Sequence, residues 1–543
     1  MCGIFGKLLE TNDISSLINA GYSIKNRGPE RTITYHLQDA FLMFHRLAII
    51  NTSPLLDQPH IYKSKDERDT YYYVLCNGEI YNYKTLSTLY LDNLKLNNDT
   101  SVIFPLFEEF NYDFIKLNNE LNGEYSLVIC KVKNNKIREC WMSTDPYSVR
   151  PLFVYIKENT AVFSSLLRGL TSIDEIRNSK DIKRLNGGQY IHLTFRDDKV
   201  YSENNGYYTR NLSKEGLLNP ITNIEEAKLK LMHTLENAVV RRLTSDRPIG
   251  CLLSGGLDSS LVAAIASMEM KNRGMKLRTF SIGMEGGTDL YYARLVAEHI
   301  DSDHTEIIFT PEEGLSVLED VIKTCETYDT TTIRASVGQY LLARWISQNT
   351  DIKVVLNGDG ADECMMGYLY NYYSPSHIDS HEDCIRLLDE IHLYDGLRVD
   401  RNISRWGLEA RVPYLDKSFA NLCKLIHPKL KMPFMKCEEF PEGRIEKWLI
   451  RSAFERYLKR SGYTLLPNSV IWRVKEAFSD GVSKKENSWY SIIQKKIGNE
   501  KEWYREVFIR EFGENAISVI PHYWMPKWVN STDPSARTLS IYK

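Results

Sequence analysis

Pro248-Ile249-Gly250-Cys251-Leu252-Leu253-Ser254-Gly255-Gly256-Leu257-Asp258-Ser259-Ser260-Leu261-Val262-Ala263-Ala264 decides how the second half of the chain is read. A short apolar run ends in a Gly-Gly turn, and an apolar helical pattern follows at once: strand, loop, helix. Paired glycines free backbone amides to form an anion nest, and the helix N-terminus adds partial positive charge. Ser254, Ser259 and Ser260 add hydroxyl donors. Asp258 next to phosphates calls for a bridging cation, which points to magnesium. The loop lacks the Gly-x-x-x-x-Gly-Lys-Ser/Thr pattern of γ-phosphate handlers.

Working outward, the same alternation recurs. Leu277 to Ile282 and Lys353-Val354-Val355-Leu356 read as buried strands, while Glu225 to Leu243 and Ser336 to Ile346 carry helical apolar spacing. Strands alternating with helices predict a parallel α/β sheet, with sites at the strands' carboxyl ends. Asn357-Gly358-Asp359-Gly360-Ala361-Asp362-Glu363 falls at such an end. Before residue 210 the style differs. Phe41 to Phe44, Tyr71 to Leu75, Tyr125 to Ile129 and Leu152 to Tyr155 are short aromatic and β-branched runs between turn residues, the pattern of a layered sheet protein. The expected boundary is the polar stretch Ser202 to Pro220, which contains Asn204-Asn205-Gly206 and Ser213 to Gly216.

The 543 residues exceed one compact core, so two or three domains are expected. Sixty-eight basic against 71 acidic residues give a net charge of −3, which recommends neither nucleic acid nor an acidic tail. No run reaches the ~18 apolar residues of a membrane span. Met1 to Lys7 does not have the form of a secretory signal. The 10 Cys are scattered singly, which points to a reducing, cytoplasmic compartment.

Cys2 precedes Gly3, and a small second residue permits removal of Met1. That would leave a thiol and a free α-amine of pKa near 8 on one residue, nucleophile and base together. Read alone, Cys2 is more readily a small apolar residue starting a strand. Arg46 offers a planar fork for a carboxylate. Asn77 and the Gly78 amide could donate to an oxyanion. Asp99 could accept an amino group.

These residues, in the order Cys2-Gly3-Ile4, Arg27-Gly28-Pro29, His45-Arg46-Leu47, Gln58-Pro59, Asn77 to Asn82, Asp99, Leu121-Asn122-Gly123 and Asp145 to Leu152, resemble the class II glutamine amidotransferase domain. That resemblance implies an αββα N-terminal-nucleophile hydrolase sandwich over residues 2–206. In it Cys2 attacks glutamine's amide, Asn77 and Gly78 form the oxyanion hole, Arg46 holds the α-carboxylate, and Leu47, Ala48, Ile49, Ile50, Glu79 and Asp99 complete the glutamine pocket. The Ser254 to Ser260 string resembles the pyrophosphate loop of the ATP-pyrophosphatase family. With Thr327 to Ser336, Asn357 to Glu363, Arg405 to Asp416, Trp472 to Gly481 and the closing stretch His522 to Leu539, the chain resembles the glutamine-hydrolysing asparagine synthetase family over nearly its whole length.

The resemblance implies an α/β ATP-pyrophosphatase domain over 215–543. ATP would be bound by Leu252, Ser254, Gly255, Gly256, Asp258, Ser259, Ser260, Ile282, Asn357 and Gly358, and Mg(2+) by Asp258 and Asp362. Asp359 and Lys475 would be catalytic, and glutamine, aspartate and ATP the substrates, with no nucleic acid or membrane partner and a homodimeric state. The chain departs from the family pattern at Asp359 (for Glu), Asn357 (for Ser), Glu30 (for Asp), Ser101 (for Glu), Thr144 (for Arg), Ser148 (for Gly), Leu166 (for Glu) and Met365-Met366. A β-lactam-synthetase-like cyclase, a phosphoribosyl amidotransferase and a non-catalytic descendant are the rival readings. Cys2 counts against the first and the Ser254 loop against the second.

Overall fold

The computed structural model describes residues 1–11, 13–209, 217–435, 443–455, 464–476, 481–483, 488–531, 533–534 and 539. Residues 477–480 of the Trp472 to Gly481 block, 532 and 535–538 of the closing stretch and 210–216 of the expected linker lie outside the described residues.

Twelve strands come first: β1 (Gly3–Leu8), β2 (Arg31–His36), β3 (Ala40–Arg46), β4 (His60–Lys63), β5 (Thr70–Ile80), β6 (Gly123–Lys133), β7 (Lys136–Thr144), β8 (Phe153–Lys157), β9 (Thr160–Ser164), β10 (Ile182–Arg184), β11 (Gln189–Arg196) and β12 (Lys199–Tyr207). They form two antiparallel sheets, ordered β10-β8-β9-β1-β3-β2 and β12-β11-β7-β6-β5-β4. Alternate side chains on one strand go to different layers, as a pleat dictates. Leu42 and Phe44 of β3 meet Val128 and Cys130 of β6 in the core between the sheets. Phe41 and Met43 point the other way, into a core that continues to the end of the chain. On the far side of the second sheet, Leu127 and Ile129 pack under the helices Tyr83–Tyr90, Ile103–Glu109 and Phe114–Glu120. The result is the expected αββα layering.

Strands β13 (Ile249–Leu252), β14 (Arg278–Gly283), β15 (Asp303–Ile308), β16 (Val354–Leu356) and β17 (Glu409–Arg411) form one parallel sheet ordered β15-β14-β13-β16-β17. The order reverses between β13 and β16, so a crevice opens where their carboxyl ends diverge. The loops Ser254–Gly256 and Asn357–Gly360 leave from those two ends.

One expectation needs correcting. Asn204, Asn205 and Gly206 are not linker: they pair with His192, Ile191 and Tyr190 as part of β12. β12 is an edge strand with exposed residues along most of its length. An edge facing water is satisfied by polar side chains, which mimic a loop in the sequence. Among the described residues, no helix is long and apolar enough to cross a membrane.

Two candidate sites joined by a buried interface

Gly78, near the end of β5, has a φ of +150°. A Cβ there would sit 2.0 Å from the Glu124 carbonyl oxygen across the ladder, so the position needs glycine. Asn77 is fully buried; its Nδ2 donates to Ser126 Oγ at 3.5 Å, and its Oδ1 has no partner. Asp99 Oδ2 accepts the Ile80 N–H at 2.8 Å, which fixes the end of the same strand. Burial raises the Asp99 carboxyl to about 6, with the Ile80 bond working against it. Glu79 is buried with Oε2 unbonded. Burial, then Asp99 and Glu409, push its carboxyl far above the ordinary range.

Cys2 sits at the head of β1, its thiol donating to the Leu47 carbonyl at 3.6 Å. Met1 precedes it and is buried, with its amine 3.4 Å from the Leu408 carbonyl oxygen and 3.9 Å from Glu409. Cys2 nitrogen is therefore an amide in this chain, and burial raises the thiol to about 11 although the Met1 amine opposes it. Burial also lowers the Met1 amine to about 6. Arg46 is folded onto the loop that follows Ile50, donating to the carbonyls of Asn51 and Ser53 and to Asp57 Oδ1 at 2.5, 2.6 and 2.7 Å. Its fork is occupied by its own chain in this state. Ala48 N–H is held by Glu30 Oε2 at 2.8 Å.

In the C-terminal half one cavity of about 250 Å³ lies at the β13/β16 crevice. It is lined by Leu252, Ser254, Gly256, Asp258, Ser259, Ile282, Asn357 and Gly358 of the expected nucleotide set, and by Asp359, Asp362 and Lys475. Gly255 and Ser260 are not on its wall. Gly255 makes the turn at φ +73°, packed on Ala293, and Ser260 is fully buried inside the helix Leu257–Asn272. Gly358 presses on the start of that helix: a Cβ would lie 2.6 Å from Ser259 N.

The sequence reading missed Lys447. Its Nζ bridges Asp258 Oδ2 at 2.6 Å and Asp362 Oδ1 at 2.8 Å, while Lys475 pairs with Asp362 Oδ2. Burial alone would raise Asp362; Lys447 and Lys475 outweigh it and hold the carboxyl below its usual range. Two carboxylates within reach of one ammonium can equally flank a cation. No group of three or more His, Cys, Asp or Glu able to hold a metal occurs among the described residues. Two carboxylates beside a phosphate loop are the donor set magnesium takes, with substrate phosphates and water supplying the rest. Asp359 accepts from Arg398 Nη2 at 2.7 Å, and its Oδ2 is unbonded.

The two sites meet through buried ion pairs. Arg27 donates to the Cys2 carbonyl at 2.9 Å and grips Asp400 with both Nη atoms at 2.7 and 2.9 Å. Glu124, across the ladder from Glu79, accepts from Arg150, Arg242 and the Val412 N–H. Arg411 pairs with Glu409 at 2.9 Å and lies 3.6 Å from Glu79. The carbonyl of Arg411 accepts the Asn357 N–H, so a single residue of β17 touches the surroundings of both sites.

Comparison with known proteins places the chain in a family. A glutamine amidotransferase domain model matches residues 1–205, and an asparagine synthase model matches 230–384 and 374–518. The chain is 34% identical over 592 aligned positions to the asparagine synthetase [glutamine-hydrolyzing] of Mus musculus, and 35% over 583 to that of Homo sapiens. It is 34% identical over 590 positions to that of Gallus gallus. Each alignment spans 100% of this chain and 99% of the relative.

Proposed function

The chain belongs to the glutamine-hydrolysing asparagine synthetase family, and on that premise we propose that it amidates aspartate to asparagine with nitrogen from glutamine, consuming ATP. The functional units are residues 2–206 and 215–543. Removal of Met1 frees the Cys2 amine, which takes the thiol proton as the sulfur attacks glutamine's side-chain amide. Asn77 Nδ2 and the Gly78 N–H stabilise the oxyanion. Ammonia leaves, and water then releases glutamate from the thioester. Glu79 and Asp99 bind the amino end of glutamine, lined by Leu47, Ala48, Ile49 and Ile50. Arg46 takes the α-carboxylate by exchanging its contacts with the 51–57 loop.

In the second unit the aspartate β-carboxylate attacks the α-phosphorus of ATP, forming β-aspartyl-AMP and expelling pyrophosphate. The Ser254–Ser260 loop holds the phosphates, with Lys475 and Lys447 countering the charge that develops. Asp258 and Asp362 would hold a magnesium ion, which neutralises phosphate charge when bound. Leu252, Ile282, Asn357 and Gly358 frame the nucleoside. Ammonia then attacks the acyl carbon, Asp359 takes its proton, and AMP departs. Neutral ammonia crosses inside the protein, because in water near pH 7 it is mostly protonated and non-nucleophilic.

The observation that carries this reading is that the two loops flanking the β13/β16 reversal, Ser254–Gly256 and Asn357–Gly360, far apart in the chain, line a single cavity together with Lys447 and Lys475. The test is isotopic. With ¹⁸O in the aspartate β-carboxylate, one label should appear in AMP, because the attacking oxygen stays on phosphorus. Label in inorganic phosphate, with ADP as the nucleotide product, would contradict adenylation. Asp258→Asn should stop AMP and pyrophosphate formation. A cytoplasmic homodimer completes the proposal, and sedimentation of the purified protein checks the oligomeric state.

A further inference from the structure

Lys447, Arg451 and Lys475 are basic side chains on the cavity wall. They come from two segments of the chain. Lys447 precedes the helix Trp448–Glu455, which carries Arg451, and Lys475 follows the short helix Asn468–Ile471. Glu446 is fully buried and is not part of the wall, yet it reaches both segments. Its Oε1 accepts the Lys475 N–H at 2.9 Å and Arg451 Nη2 at 2.6 Å. Its carbonyl accepts Arg451 Nε at 2.8 Å, and Arg451 Nη1 donates to the Ile471 carbonyl. Tyr372, also off the wall, donates its OH to Glu446 Oε2 at 3.4 Å and accepts the Glu446 N–H at 3.1 Å.

A lysine stem is long and flexible, so its ammonium is placed no better than its main chain. Lys447 and Lys475 meet on one carboxylate: Lys447 Nζ is 2.8 Å from Asp362 Oδ1, and Lys475 Nζ pairs with Oδ2. Lys447 holds a φ of +56°, a left-handed backbone that residues with a Cβ rarely adopt and that persists only where its surroundings impose it. Glu446, the residue before it, is bonded at its N–H, its carbonyl and both carboxylate oxygens. An amide N–H held by a carboxylate is a strong, charge-assisted bond, and here it falls on the main chain of Lys475.

We propose that Glu446 is a positioning residue: it sets the span between the Lys447 and Lys475 ammonium groups, so that both meet the phosphates as pyrophosphate leaves. It touches no substrate itself. Arg451 acts with it, as the strut to Ile471. This rests on the proposed function and deepens it, because it gives the two cations of that site a common support. A carboxylate present only to neutralise Arg451 would add stability without acting through the lysines.

The test uses the full-length enzyme with ATP, magnesium, aspartate and ammonium, following pyrophosphate per ATP-binding site. Glu446→Gln should lower kcat about tenfold and Glu446→Ala about 10²-fold, the scale of a displacement near 1 Å. The KM for ATP should move less than about threefold, because the Ser254–Ser260 loop keeps its grip. Glu446→Gln is then combined with Lys447→Met. With one ammonium gone there is no span left to set, so the combined loss in kcat should fall well short of the product of the two single losses. Tyr372→Phe serves where the Glu446 variants fail to fold, with the same pattern and a loss of about two- to fivefold in kcat. Losses that multiply, a parent kcat in Glu446→Gln, or an ATP KM rising in step with the fall in kcat overturn the positioning role while the proposed function stands. No aspartate-dependent pyrophosphate from the unaltered enzyme overturns both.

Discussion

In the proposed mechanism Cys2 depends on one covalent event. With Met1 attached, its nitrogen is an amide and its thiol is raised to about 11, so almost no thiolate exists at neutral pH. The mature protein should be one methionine residue lighter than the encoded chain by intact mass, and a variant that retains Met1 should lose glutaminase activity. Gly78 is the other residue with no substitute. Gly78→Ala brings strain at φ +150° and a 2.0 Å clash with Glu124, on the order of 3 kcal/mol of stability, readable by denaturant unfolding. Lys447→Met should lower the rate of pyrophosphate release about 10²-fold, as loss of one preorganised donor to a charged transition state does. Residues inside local motifs could be read from the sequence: the 254–260 string and Asn77-Gly78 each carry their chemistry in consecutive letters. Lys447 could not, because its partners Asp258 and Asp362 lie 189 and 85 positions away. Nor could the state of Arg46, whose fork is claimed by a loop a few residues on.

At the scale of elements, β13 and β16 do most to build the proposed synthetase site. Each is short, buried and ends in a glycine-containing turn, so their side chains fix the sheet and their ends fix the ligand loops. Short buried strands between helical patterns are legible as a parallel sheet. β12 misled because its polar residues answer to water at a sheet edge. The turn after β16 also sets a pH dependence. Asp359 faces Arg398 from the helix Asp395–Ser404, and Asp395 and Asp362 from nearby; burial raises its carboxyl to about 6. A carboxyl raised in this way is charged only above that value. Aspartate amidation at a fixed concentration of free ammonia, which bypasses the glutamine pocket, should therefore rise with pH through about 6, and Asp359→Asn should lose the rate gained on the high-pH side of that limb, as a pH–rate profile would show.

At the scale of the molecule, the two halves share an apolar core and are joined across it by buried ion pairs. Asp400 is central. Burial would raise its carboxyl, but Arg27, Arg401 and Arg150 outweigh it and hold it below the ordinary carboxylate range. The unfolded chain binds the proton more readily, so this contribution is complete above about pH 4 and drains as pH falls toward the lower folded value. Arg27→Met leaves Asp400 buried with fewer partners and should cost about 3–5 kcal/mol, seen as earlier acid and thermal unfolding. These pairs join residues up to 373 positions apart, which no reading of local pattern reaches. The central claim is that a thiol in one half feeds nitrogen to an ATP-consuming site in the other. Its most direct measurement is asparagine formation by Cys2→Ala with glutamine and, separately, with ammonium. The account predicts that synthesis from glutamine is lost and synthesis from ammonium persists at close to the parent rate; undiminished synthesis from glutamine would contradict it.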